Sequence, residues 1–79
     1  MSKYLKELNS LFIELFNNSE ILISETTSAA DIDGWDSLMH VRIILAIEQK
    51  FNIRFSASEA SSFANIGDIL ISLEQKKIE

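Results

Sequence analysis

The chain has 79 residues, no cysteine and no proline, and a net charge of −5 from twelve acids against seven bases. Without thiols there can be no disulfide scaffold, thiolate zinc site or cysteine nucleophile, and the scattered bases Lys3, Lys6, Arg42, Lys50, Arg54, Lys76 and Lys77 form no cluster for gripping nucleic-acid phosphates. A hydrophobic content of 47% supports one small core, which at this length typically yields only about 3–5 kcal/mol of net stability. The longest apolar run, Ile43–Ile47, is far too short to span a bilayer. No basic segment followed by an apolar stretch suggests export, so a cytoplasmic protein with no membrane partner is expected.

Apolar spacing and caps predict an all-α fold, a small four-helix bundle of three longer helices and one short one, forming a single domain over 1–79. The first helix is expected over about residues 3 to 16, where Leu5, Leu8, Phe12 and Leu15 recur at three- and four-residue intervals, widened by Leu11 and Phe16. Asn17-Asn18-Ser19 reads as its end. A long connection follows, with Ile21, Leu22 and Ile23 as an apolar anchor. Loops of this length in compact domains are often functional.

The second helix is expected from Asp36 or Ser37 to about Lys50, with Gly34 as a hinge and Asp36 as a favoured N-cap type. A short third helix is predicted from Ser56, because Ser56 and Glu59 have capping-box spacing. The fourth covers about Ile66 to Lys76, capped by Asn65, with Asp68 at its start and Lys76-Lys77 near its end to suit the helix dipole.

The second helix carries too much apolar surface for one buried stripe. Ile43, Ile44, Ile47 and Phe51 fall within one arc about 100° wide. Leu38 and Leu45 point nearly opposite, Val41 lies at the margin and Met39 on a flank. Leu38, Met39, Val41 and Leu45 are therefore expected to face solvent or a partner, at least in part.

Ser37 stands at the start of this helix, after the acidic turn Asp31-Ile32-Asp33-Gly34-Trp35-Asp36. Unpaired N–H groups and the positive end of the dipole favour an anion there, so a phosphate on Ser37 would be well placed. His40, the single histidine, shares a helical face with Ser37. A hydrolase would also need an oriented base and a pocket with oxyanion donors, which a bundle this small does not offer. His40 is expected to be a partly buried helix residue, and no enzyme activity is expected. Nor does the acidic turn fit a calcium loop, which needs glycine sixth and a glutamate twelfth; counting from Asp31, glycine is fourth and Arg42 is twelfth.

Gly34-Trp35-Asp36-Ser37-Leu38 resembles the prosthetic-group attachment motif of acyl carrier proteins. The surroundings strengthen the match: the serine follows a long first loop and opens an apolar helix. That helix ends in Ala46-Ile47-Glu48-Gln49-Lys50-Phe51, before a short third helix and an amphipathic fourth. The resemblance covers essentially the whole chain. It implies that Ser37 receives 4′-phosphopantetheine from a phosphopantetheinyl transferase, and that cargo then rides as a thioester on the arm. It also implies an acyl- or aminoacyl-activating enzyme and downstream acyl-transferring or synthase enzymes as partners, with the carrier itself a monomer. Carried over position by position, it implies that Asp36 docks basic groups and that Leu38, Val41 and Leu45 contact partners; Met39 and Arg42 are expected on the same partner face. Trp35 resembles a subset of discrete carriers, and its plainer expected role is to pin the loop onto the bundle.

One departure matters. Fatty-acid-synthesis carriers have a strongly acidic second helix, whereas the charges from Asp36 to Lys50 balance to zero here, with Arg42 and Met39 where acids usually stand. A specialised carrier for a dedicated pathway is expected, with polyketide-like, aminoacyl, or sugar- and surface-modification chemistry as its possible service. An aminoacyl or peptidyl carrier and an unmodified helical interaction domain are the alternatives.

Overall fold

The structure, a computed structural model, describes residues 3–77. Among these residues four α-helices and no strand are present: α1 (Leu5–Phe16), α2 (Ser37–Phe51), α3 (Ala57–Ser62) and α4 (Ile66–Lys76). This is the expected bundle of three longer helices and one short one. α1 starts slightly later than the apolar spacing predicts, after Tyr4, which provides no side-chain cap. Both α1 and α2 stop on an asparagine in the left-handed conformation, Asn17 at φ 51° and Asn52 at φ 57°. Asparagine is among the few residues other than glycine that tolerate that turn.

The predicted caps form. Asp36, Ser56 and Asn65 accept from the N–H groups of Met39 (2.8 Å), Glu59 (3.1 Å) and Asp68 (3.0 Å). Each pairs one of the donors that a helix start leaves without a partner. Glu59 completes a capping box by accepting from the Ser56 N–H at 2.8 Å.

Leu8, Leu11 and Phe12 of α1, Ile43, Ile47 and Phe51 of α2, and Ile66, Ile69, Leu70 and Leu73 of α4 form the core, joined by Ile23 and Ile53 from the connections. The predicted arc of α2 is buried throughout, Ile44 included. α3 buries no residue. It is held by its flanks and by polar ties, notably the Glu59–Lys76 ion pair at 3.0 Å.

The connection before α2 is fixed along its length. Asn9 of α1 donates to the Ile21 carbonyl at 3.3 Å and accepts from the Ile23 N–H at 2.7 Å. The expected apolar anchor is only partly right: Ile23 is buried and Ile21 half-buried, but Leu22 is 87% exposed. The two side chains flanking it turn inward and Leu22 turns away from them. A 3-10 turn at Ala29–Asp31, invisible to helical periodicity, follows Ser28, whose N–H donates to the Asp31 carboxylate at 2.9 Å. Further on, the Ile66 and Gly67 N–H groups donate to the Thr27 and Glu25 carbonyls, each at 2.8 Å. Two free donors of the first turn of α4 are thus satisfied by the loop. Gly67 permits this approach, since a β-carbon there would lie 3.0 Å from the Glu25 carbonyl oxygen.

Candidate functional site

The start of α2 is built by a sharp turn. Gly34 takes φ 92°, a conformation that side chains oppose, and sits on the Phe16 ring. The chain then passes Trp35, packed edge-on against Phe12 with ring centroids 5.3 Å apart. Asp36 is extended and caps the helix. Ser37 is the first helical residue. It is exposed, and its hydroxyl makes no hydrogen bond with any described residue. The Met39 N–H is occupied by Asp36; those of Ser37 and Leu38 precede the first intrahelical bond and have no partner among the described residues. A free hydroxyl beside unpaired amides suits attachment of a phosphate, because the amides and the dipole both favour negative charge.

His40 lies one turn further along α2. The Trp35 indole N–H donates to His40 Nδ1 at 3.2 Å, and His40 Nε2 lies 2.8 Å from the Ala60 carbonyl oxygen in α3. The two rings stack with an interplanar angle of 16°. His40 is half-buried, as expected from the sequence, and Trp35 does pin the loop. The cross-link between them spans three elements and was not foreseen. Its only signal in the sequence is the five-residue spacing of a lone tryptophan and a lone histidine.

The solvent face of α2 is apolar. Leu38 is 67% exposed and Val41 and Leu45 are each 53% exposed. Arg42 is exposed beside them, with Leu38 four residues before and Leu45 three after, so both flank its stem. It makes no ion pair with any described residue. The acids at the two ends of the helix do not neutralise it: Asp36 caps the helix, and Glu48 accepts from the Phe55 N–H at 2.8 Å. Met39 departs from expectation. It is half-buried against the core, because it sits four residues before buried Ile43 and shares that side of the helix.

Among the described residues no group of three or more histidine, aspartate or glutamate side chains could hold a metal ion, and no helix is long and apolar enough to cross a membrane.

The bundle's second helix thus opens on an exposed serine without a hydrogen-bond partner, and comparison with known proteins gives the class of the fold, a carrier for a covalently attached arm. The phosphopantetheine attachment site family matches residues 7–72. The chain is 30% identical over 71 residues to an acyl carrier protein of Wolinella succinogenes, covering 90% of this chain and 93% of that one. It is 28% identical over 68 residues to an acyl carrier protein of a Sulfurovum species, covering 86% and 91%. The solution structure of a holo acyl carrier protein from Geobacter metallireducens superposes with a TM-score of 0.86 at 35% identity, covering 91% of this chain and 83% of that chain. The chain belongs to the acyl carrier protein family. Its cofactor is covalent 4′-phosphopantetheine, it is a carrier and not an enzyme, and its partners include a phosphopantetheinyl transferase and acyl-handling enzymes. The residues at the start of α2 fit that group, since a free hydroxyl and two unpartnered amides meet there.

Proposed function

We propose that Ser37 is the attachment residue and that residues 1–79 act as one monomeric, cytoplasmic carrier domain serving a dedicated biosynthetic pathway. The observation that carries this reading is the exposed Ser37 hydroxyl, without a hydrogen-bond partner, on the first residue of α2. In the loading step the Ser37 oxygen forms a bond to the phosphorus bearing the pantetheine arm of coenzyme A. The diphosphate bond of coenzyme A breaks, adenosine 3′,5′-bisphosphate leaves, and the serine proton passes to solvent. Once attached, the arm keeps an acyl thioester at high effective concentration near each partner enzyme. The carrier lowers no barrier itself.

Asp36, Leu38, Val41, Arg42 and Leu45 form the partner surface, with Met39 contributing only its outer edge. The pathway reading rests on Arg42. A partner that grips an acidic helix with its own arginines would meet a like charge among leucines, which disfavours that pairing. Incubation with a promiscuous transferase and coenzyme A is expected to add one phosphopantetheine mass, and Ser37→Ala to abolish the gain. An unchanged mass with several transferases refutes the attachment and leaves an unmodified interaction domain. On the loaded carrier, Arg42→Glu is expected to raise kcat/KM with fatty-acid-synthesis enzymes; unchanged kinetics refute the pathway reading.

A further inference from the structure

We infer that His40 is a positioning residue that holds Trp35 and the backbone of α3 against the helix bearing Ser37, and that it releases Trp35 when its ring takes up a second proton. An indole nitrogen can only donate. With Trp35 Nε1 at 3.2 Å, His40 Nδ1 must therefore be the accepting nitrogen of a neutral ring. The ring proton then sits on Nε2 and is donated to the Ala60 carbonyl at 2.8 Å. One neutral imidazole thus joins the loop before Ser37 to α3. A second proton on Nδ1 sets two donors against each other and breaks the Trp35 bond, whereas the bond to Ala60 is charge-assisted and kept. The freed ring is that of Trp35, two residues before Ser37.

Other charged groups stand on the elements meeting here: Asp31 of the loop accepts from the Ser28 N–H and Glu48 of α2 from the Phe55 N–H, while Glu20 and Glu25 of the loop, Lys50 of α2 and Lys6, Glu7 and Glu14 of α1 are exposed. Asp36 of α2 caps its own helix. Glu59 of α3 is held by the Ser56 N–H and by Lys76 of α4. Asp33 of the loop and Arg42 of α2 are exposed, and α1 meets Trp35 through the uncharged Phe12. Protonation of His40 is the event that alters this contact.

The chain has one tryptophan and one histidine, so the test is direct. Trp35 emission of the unmodified protein is followed through an acid titration, alongside the His40 ring protons by NMR and helicity by circular dichroism. Emission is expected to change in a single one-proton step that coincides with His40 titration while helicity holds. His40→Gln keeps a donor near the Nε2 position and lacks the acceptor for Trp35; its emission is expected to match the acid form at every pH. His40→Asn keeps an acceptor near Nδ1 and cannot reach Ala60. It is expected to retain the neutral emission while amides of α3 exchange about fivefold faster, the change that loss of one net hydrogen bond implies. Emission that stays flat while His40 titrates, or a step that persists in His40→Gln, overturns the inference. The wild-type titration decides the matter even if a variant fails to fold. The link to Ser37 rests on the proposed attachment, but these readouts use the unmodified protein and fail independently of the mass experiment.

Discussion

α3 and α4 begin alike and are held differently. Each opens on a polar side chain that accepts from the residue three positions on, Ser56 from Glu59 and Asn65 from Asp68. α4 then buries Ile66, Ile69, Leu70, Ser72 and Leu73, whereas α3 buries nothing. Capping defines where a helix starts, but burial determines how firmly it stays. α4 should therefore open only with the whole domain, and α3 should open by itself, held by His40, Glu59 and its flanking phenylalanines Phe55 and Phe63, whose rings meet edge-on 5.3 Å apart.

The contrast can be broken most sharply at Leu73, which is fully buried. Leu73→Ala is expected to cost about 2–5 kcal/mol, comparable with the whole stability of a domain this size. Denaturant unfolding should show a collapsed or missing native baseline; a loss well under that range would mean that α4 is not the keystone proposed. Gly67→Ala comes next. The added methyl would meet the Glu25 carbonyl oxygen at 3.0 Å, so the seam between loop and helix must give slightly, at about 1–3 kcal/mol for overpacking of this kind, offset in part by the roughly 1 kcal/mol that alanine gains over glycine in a helix. A lowered denaturation midpoint at unchanged m-value checks it.

Ser56→Ala acts on α3 alone. Loss of the cap is expected to cost about 1 kcal/mol, seen as faster amide exchange in α3 with α4 unaffected; equal acceleration in both would erase the distinction. The smallest effect is that of acid. The Glu59 carboxyl is held below its ordinary value of 4.5, first by the Ser56 backbone N–H and then by Lys76. A carboxyl held down in the fold favours the fold while ionised, so its contribution is present above about pH 4.5 and lost as pH falls through the lowered value. Mild acid should loosen α3 before the core, as read by exchange or by the Phe63 ring signals.

Helices and caps were readable in the sequence because they are local. Asp36, Ser56 and Asn65 each find a partner three residues away, and a 3.6-residue period singles out Ile43, Ile44, Ile47 and Phe51. Gly34 was recognisable as a hinge, and Ser37 as the exposed head of α2, for the same reason. Contacts made across the chain were not readable. Asn9 reaches Ile21 and Ile23, and His40 reaches Ala60, over separations of 12 to 20 residues that no local pattern encodes. Sidedness failed where two faces meet, so Met39 turned toward the core and Leu22 away from it. The departure of Arg42 from an acidic helix was plain in the charges; that no carboxylate among the described residues reaches back to pair with it required the fold.

The two bonds from Thr27 and Glu25 to the start of α4 have a mechanical consequence. They fasten the middle of the long connection to a helix packed in the core, so the turn leading to Ser37 rises from a braced footing instead of a slack strand. A load on the proposed Ser37 attachment would swing from a fixed pivot, with the arm alone setting how far it travels.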